Sequence, residues 1–253
     1  MPSRQTIRSI SVIIPCLNEE ENLRATYENV VAALKDTAEE FEILIFDDGS
    51  SDKTGEIADA IQKNDPSVTV WHNRPNKGFG YNFTKGITIA RMNYVAVIPG
   101  DNEISGESIG RIFALMGKAD MIIPFTVNME VRPWGRRLIS RLFTVLMNAI
   151  FQCELQYYNG PTLHRADLVR DLDVRTSGFA FQAVMLVKLI RRGYSFCEVD
   201  MYLRRKPVYR SNAVRVQNIS SVISAILRLV IDVVRDPTLR NRKELGRVNP
   251  HAN

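Results

Sequence analysis

The chain has 253 residues, with 45% hydrophobic and 24% charged residues and a net charge of +5 from 33 Lys and Arg against 28 Asp and Glu. These proportions exclude a disordered chain, a collagen and a long coiled coil, and the length fits one domain with at most a short appendage. Cys16, Cys153 and Cys197 are too few and too scattered for a disulfide scaffold, no Cys-x-x-Cys pair points to zinc, and the modest basic excess suits an anionic ligand or membrane surface rather than nucleic acid.

Residues 1–9 are polar, and the apolar run after them is too short for a signal-peptide core. A reduced, cytoplasmic setting is expected, extending to the cytoplasmic face of a membrane. Ser11–Pro15 is a β-branched run and predicts a buried strand. The acidic stretch Asn18–Asn22 opens a helix to about Ala38. Phe41–Phe46 predicts a second strand, ended by Asp47-Asp48-Gly49-Ser50, and a helix over Lys53–Asn64 follows. Val68–His72 predicts a third strand; the loop Asn76–Gly80 then leads into a helix reaching about Met92. Tyr94–Ile98 predicts a fourth strand, ending at Pro99-Gly100-Asp101-Asn102-Glu103. Four strand–loop–helix units imply a parallel α/β sheet with helices on both faces. Ligands of such sheets bind beyond the carboxyl ends of the strands, where the polar clusters of this chain fall.

The second half is less regular. Met121–Pro124 and Phe196–Val199 predict strands, and Arg132–Phe151 and Phe181–Arg192 predict helices. Arg132, Arg136, Arg137 and Arg141 crowd the amino end of the first of these helices, where the dipole disfavours cations unless something anionic binds there. Between Ile219 and Val234 the apolar face Val222, Ile223, Ile226, Leu229, Val230 and Val233 repeats at helical spacing. Arg228 and Asp232 interrupt it, so it reads as a helix packed on the body, on a sister subunit or on a bilayer surface, not as a span. Arg240–Asn253 reads as a polar, frayed tail.

Asp101 and Glu103 stand two residues apart just past a strand. Such a pair can converge on one hard cation, Mg²⁺ or Mn²⁺, which takes carboxylates together with substrate phosphates. Taken singly, this pair, the Asp47-Asp48 turn and the Lys77-Gly78 loop are each weak signals.

Together they resemble glycosyltransferase family 2, with the GT-A fold. The residues carrying the resemblance are SVIIPCLNEEENL (11–23), ILIFDDGSSDKT (43–54), NRPNKGFGYNFTKGI (73–87) and VAVIPGDNEI (95–104). RPWGRRLISRLF (132–143), YYNGPTLHRADLV (157–169) and SGFAFQAVMLVKLIRRGYSFCEV (177–199) are most similar to the polyprenyl-phosphate sugar transferases of the dolichol-phosphate mannosyltransferase type. The resemblance implies a GT-A domain over residues 1–212, with an amphipathic helix and tail over 213–253. It implies that Pro15, Asn18 and Glu19 shape a nucleotide pocket, that Asp47 or Asp48 bonds the base, and that Lys77 lies beside the nucleotide. Asp101 and Glu103 occupy the family's metal motif, Glu103 being one methylene longer than the usual Asp. Ser105 falls where the lipid-phosphate transferases often carry Gln.

Family members that glycosylate a hydroxyl need a carboxylate to take its proton. They usually carry Glu-Asp where this chain has Phe181 and Gln182, and no Asp or Glu occurs between Asp173 and Glu198. A phosphate acceptor is already ionised, and Arg132 and Arg136, with Arg141 and Gln182 beside them, would align it. Val184 and Pro161–His164 depart from the lipid-phosphate pattern. Arg205, Lys206, Arg210 and Ser211 are the nearest match to the family's closing loop. From Arg191 to Arg247 the net charge is +8, a basic face suited to diphosphate, lipid phosphate and anionic headgroups. The expected activity is metal-dependent, inverting transfer of a sugar from a nucleotide diphosphate to a polyprenyl phosphate, with peripheral membrane contact or self-association through 214–235. The alternatives are a soluble transferase with a hydroxyl acceptor, or a nucleotide-sugar-binding protein without catalysis.

Overall fold

The computed structural model describes residues 7–174, 180–205, 216–241 and 244–250. The first four strands, β1 (Ser9–Cys16), β2 (Glu40–Asp47), β3 (Val68–His72) and β4 (Tyr94–Val97), fall within two residues of their expected bounds. So do β5 (Met121–Thr126) and the later strand Phe196–Met201. Between those two, Leu163–Arg165 forms a strand that hydropathy does not predict. These last two are β6 (Leu163–Arg165) and β7 (Phe196–Met201), and the sheet order is β3-β2-β1-β4-β6-β5-β7. β1 pairs in parallel with β2 and β4, β2 with β3, and β5 with β7. β6 alone runs antiparallel, between β4 and β5.

Alternation along the strands supplies two cores. Ile10, Val12 and Ile14 of β1 and Ile43 and Ile45 of β2 face one side, with α1 (Leu23–Thr37), α2 (Thr54–Asn64) and α4 (Gly106–Ala114). Ile13, Leu44, Phe46, Val95 and Val97 face the other. There they meet α3 (Phe79–Ile89), α5 (Trp134–Phe151), α6 (Ala166–Arg170), α7 (Phe181–Arg191) and α8 (Val216–Arg235). Every residue of β1 is buried, as in a strand covered on both faces.

All of α7 is buried, including two basic residues. Lys188 Nζ lies 2.6 Å from Asp232 of α8 and donates to the Asp173 carbonyl. Arg191 donates to the carbonyls of Phe151, Leu239 and Arg240. It thereby satisfies the carboxyl ends of α5 and of α9 (Pro237–Arg240), whose last carbonyls lack helical partners.

Three sequence expectations change. Arg132 does not open α5: it is extended, as residues before a proline tend to be, and the helix starts at Trp134 beyond Pro133. Of the apolar face expected on α8, Leu229 is buried and Val222, Ile226, Val230 and Val233 pack against the core, leaving Ile223 outward. The tail is not frayed throughout: Phe196 N donates to the Gly246 carbonyl, Val248 N donates to that of Phe196, and Arg247 pairs with Glu198 at 2.9 Å. Backbone pairing of this kind leaves no trace in hydropathy.

Candidate active site

Parallel register aligns the carboxyl ends of the first strands. Cys16 stands opposite Asp47, Asp47 opposite His72, and Ile13 opposite Val97. The four polar loops therefore leave the sheet along one edge. Pro15 is buried in β1, and its carbonyl accepts from Gly100 N at 2.9 Å, tying the first loop to the fourth. Asn18 adopts a left-handed backbone, φ 55°, and its Oδ1 accepts from Ser51 N at 2.8 Å. Glu19 N donates to Thr54 Oγ1 at 2.7 Å.

Asp47 and Asp48 are almost fully buried and organise loops. Asp47 accepts from Ser50 N at 3.0 Å and lies 2.9 Å from His72 Nδ1. Burial works to raise its carboxyl, but the bonds from Ser50 and His72 outweigh burial and hold it below the ordinary range. The same contact with Asp47 raises the His72 imidazole. Asp48 accepts from Lys77 N and Gly78 N, both at 2.8 Å, and from the Asn73 amide at 2.9 Å. The Lys77 side chain is exposed beside the loop that Asp48 fixes.

A cavity lies past the end of β4, lined among others by Phe79, Asp101, Glu103, Arg132, Tyr157 and Gln182. The structure thus brings together the acidic pair, one arginine of the basic cluster and the glutamine that replaces a catalytic carboxylate. Asn102, between the acids, has φ 51°, and its Oδ1 accepts from Asn29 Nδ2 and from an Arg204 Nη, at 3.0 and 3.1 Å. Asp101 Oδ1 accepts from Glu103 N at 3.1 Å, turning the segment back on itself. Arg132, only 7% exposed, donates through Nε to Glu103 Oε1 at 3.1 Å and through Nη1 to the Tyr157 hydroxyl at 2.9 Å. Gln182 Nε2 donates to the Gly160 carbonyl and, at 3.0 Å, to Thr162 Oγ1.

Other expected residues lie elsewhere. Arg136 is half-buried and Arg141 exposed on α5, and neither lines the cavity. Ser105 is no ligand: its Oγ caps α4 by accepting from Ser108 N at 3.2 Å. Arg205 is exposed outside the cavity lining, and Ser211, Lys206 and Arg210 lie outside the described residues. Sequence reasoning assigned no role to Tyr157 or Arg204, although the Tyr-Tyr-Asn-Gly run at 157–160 marked the first. Arg204 N donates to the Glu103 carbonyl at 2.7 Å, and an Ile104–Leu203 bridge runs beside it.

The donor chemistry suits a divalent cation held jointly with a diphosphate. Mg²⁺ in such sites takes one or two carboxylates, with phosphate oxygens and water completing its shell. Asp101 and Glu103 supply that number, and no group of three His, Cys, Asp or Glu occurs among the described residues. Glu103 divides its carboxylate between this role and Arg132.

A mostly parallel sheet with polar loops at one edge, an acidic pair past the fourth strand and one antiparallel strand beyond it define a nucleotide-sugar-dependent glycosyltransferase of GT-A fold. The crystal structure of glucosyl-3-phosphoglycerate synthase from Mycobacterium tuberculosis with Mn²⁺, uridine diphosphate and glucosyl-3-phosphoglycerate superposes with a TM-score of 0.66 at 18% identity, covering 88% of this chain and 80% of that one. Residues 11–172 match glycosyl transferase family 2, and the chain belongs to that family. It is 29% identical over 205 residues to the undecaprenyl-phosphate mannosyltransferase of Micrococcus luteus, covering 76% of this chain and 82% of that protein. It is 28% identical over 211 residues to the polyprenol monophosphomannose synthase of Mycolicibacterium smegmatis, covering 78% of each.

Proposed function

We propose that this glycosyltransferase moves a sugar, with inversion, from a nucleotide diphosphate to a polyprenyl phosphate, with Mg²⁺ or Mn²⁺ as cofactor. The observation that carries the reading is the buried Arg132 guanidinium, held by Glu103 and Tyr157 in the cavity that Asp101 and Gln182 also line. Asp101 and Glu103 are the only carboxylates among the residues lining this cavity, and both fall on the metal side. The stretches 175–179 and 206–215, outside the described residues, contain no Asp or Glu in their sequence. A hydroxyl acceptor would need a base that none of these residues supplies; a phosphate needs none.

On this reading an oxygen of the acceptor phosphate attacks the anomeric carbon as the bond from that carbon to the diphosphate breaks. The nucleoside diphosphate leaves with the electron pair, and no proton moves. The cation, held by Asp101 and Glu103, stabilises charge on the leaving diphosphate. Arg132 orients the acceptor phosphate, and Gln182 fixes the Gly160 carbonyl at the cavity wall. Pro15, Asn18, Glu19, Asp47 and Asp48 shape the nucleotide pocket through their loops, with Lys77 beside the diphosphate. Arg136, Arg141, Arg205 and Ser211 remain candidates for the acceptor path and the closing loop. The reaction is placed at the cytoplasmic face of a membrane, where the lipid-linked acceptor resides, with the chain in peripheral contact there. Among the described residues no helix is long and apolar enough to cross a membrane.

The test is sugar transfer from a panel of nucleotide diphosphate sugars to a short-chain, water-soluble prenyl phosphate and to the matching alcohol, with Mn²⁺ or a chelator. Transfer to the phosphate that the chelator stops is expected. Transfer to the alcohol with none to the phosphate would replace this reading with the hydroxyl-acceptor alternative. Metal-dependent binding of the donor with no transfer to either would leave a binding protein.

A further inference from the structure

We propose that the outward face of α5 lies on an anionic bilayer and is the surface by which this chain meets the membrane. The inference deepens the preceding reading and rests on its lipid-linked acceptor. α5 has 18 residues, about 27 Å of helix at about 1.5 Å per residue. The residues it turns outward are 134, 138, 139, 141, 142, 145, 146, 149 and 150. All but Arg141 are apolar, while Met147 and Phe151 on the opposite side enter the core. Trp134 is 74% exposed, Val145 65% and Leu142 60%. A surface helix of a water-soluble domain shows the reverse, a polar face outward, and an apolar patch spread along a whole helix marks an interaction site.

Charge selects the occupant. α5 carries Arg136, Arg137 and Arg141 and no acidic residue. Helical spacing puts Arg137 and Arg141 one turn apart on a single border of the apolar arc. A second copy packed by two-fold symmetry would set this arginine-bordered face against itself, with no carboxylate on either helix to neutralise it. An anionic lipid surface supplies the missing charge. An arc of Trp, Leu, Ile and Val beside arginines is the composition of a helix lying in the headgroup boundary. Trp134 stands at the helix end, where its amphipathic ring suits the membrane–water interface.

The position of the helix fits the chemistry. Arg132, which lines the cavity, precedes the first residue of α5 by two positions. A bilayer along this face brings the cavity beside the headgroups, so an acceptor phosphate reaches Arg132 while its chain stays in lipid. α8 is the weaker candidate, although the sequence favoured it. Its broader apolar side packs on the core, and its outward ridge of Ile223, Leu227, Ile231 and Val234 shares the surface with Arg228 and Arg235.

The experiment uses the full chain and vesicles of phosphatidylcholine with or without phosphatidylglycerol. Flotation at low salt with the anionic vesicles is expected, weakened by salt and by omitting phosphatidylglycerol. The paired variants Leu142→Glu with Val145→Glu, and Leu142→Ser with Val145→Ser, alter exposed side chains only. Each pair should weaken vesicle binding by about tenfold or more, while the thermal midpoint and transfer to the soluble prenyl phosphate stay at wild-type values. In a Trp71→Phe background, Trp134 emission should shift to the blue on adding vesicles and be quenched by brominated acyl chains. The proposal is overturned if the wild-type chain does not float, or if both pairs float as it does. It is equally overturned if light scattering shows a dimer that both pairs dissociate, since a second copy then covers the face. Flotation without any transfer to the prenyl phosphate would remove the acceptor reading and leave the docking surface standing.

Discussion

Arg132 and Glu103 form an ion pair at 3.1 Å in which the guanidinium is 7% and the carboxylate 12% exposed. The pair joins the loop after β4, where the metal and diphosphate are assigned, to the segment entering α5, where the acceptor is assigned. The extra methylene of Glu103, relative to the usual Asp, gives its carboxylate reach toward Arg132. Tyr157 holds the other side of the guanidinium. Donor and acceptor halves of the site therefore share one charge pair. Arg132→Ala is expected to cost about 2–5 kcal/mol in kcat/KM for the prenyl phosphate, the range for truncating one partner of a buried, hydrogen-bonded charge pair. Nucleotide affinity should change far less. Combined with Glu103→Gln, the losses should fall short of additive by about 0.5–3 kcal/mol. Full additivity would show that the two residues act independently.

Asp101 carries the complementary expectation. Replacement of a residue that only orients a metal ligand costs about 10–100-fold, so loss of a ligand should exceed that range. Asp101→Asn keeps the shape and removes the charge. It should abolish the Mn²⁺-dependent rise in thermal midpoint on adding a nucleoside diphosphate, which reports binding to the folded state. Transfer should fall with it. Wild-type turnover in Asp101→Asn with Mn²⁺ would move the cation site elsewhere.

The early strands and the polar loops were legible because their signals are local: β-branched runs closed by Asn, Asp and Gly. The carboxyl-end rule for parallel sheets then collected Asn18, Asp48, Lys77 and Asp101 on one edge. β6 was not legible, since Leu163-His164-Arg165 becomes a strand only through pairing with β4 and β5. α4 left a usable trace: Ser105 as a capping residue ahead of Ile109, Ile112 and Phe113, all three buried. Resemblance drew attention instead to the metal motif just before it. Tyr157 escaped because its role depends on a contact with Arg132, 25 positions away. α5 is apolar on two sides, so the sequence shows an amphipathic helix without showing which side packs. Met147 and Phe151 decide that by entering the core.

Two histidines should bend the stability profile in opposite directions. His164 of β6 is fully buried, and neither ring nitrogen finds a hydrogen-bond partner. Burial alone pushes its pKa down to about 3. Between about pH 6.5 and that value the unfolded chain binds the extra proton, so stability falls as pH falls, at up to about 1.4 kcal/mol per unit. His164→Leu should flatten this acid limb and also remove two unsatisfied polar atoms. His72 has the opposite sign. Its bond to Asp47 raises it, so its contribution is complete below about pH 6.5 and is lost as pH rises through the higher folded value. The ring is partly exposed, which keeps this effect small. Thermal midpoints across pH for His164→Leu and His72→Gln separate the two. An unchanged acid limb in His164→Leu would show that other groups govern it.

The wall of the cavity offers a last test, at Gly160. A Cβ there would fall inside van der Waals contact of the Pro124 carbonyl oxygen, a backbone atom of β5 that has nowhere to move. The Gly160 carbonyl in turn accepts from Gln182 Nε2 and from Thr162 N. Gly160→Ala should therefore displace the carbonyl that positions Gln182, at about 1–3 kcal/mol of stability for the overpacking. Gln182→Glu approaches the same contact from the other side. It replaces the donor by a carboxylate, which meets the Gly160 carbonyl lone pairs and lies in the cavity assigned to an anionic acceptor. Both variants should lower turnover on the prenyl phosphate, and Gln182→Glu should also raise its KM through like-charge repulsion. Raising salt should not restore Gly160→Ala, whose defect is steric. If Gln182→Glu instead gained transfer to the alcohol, the added carboxylate would be acting as a base, and the site would be one substitution away from hydroxyl chemistry. Retention of wild-type kinetics on the phosphate by both variants would take Gln182 out of the acceptor site and leave Arg132 as its remaining polar wall.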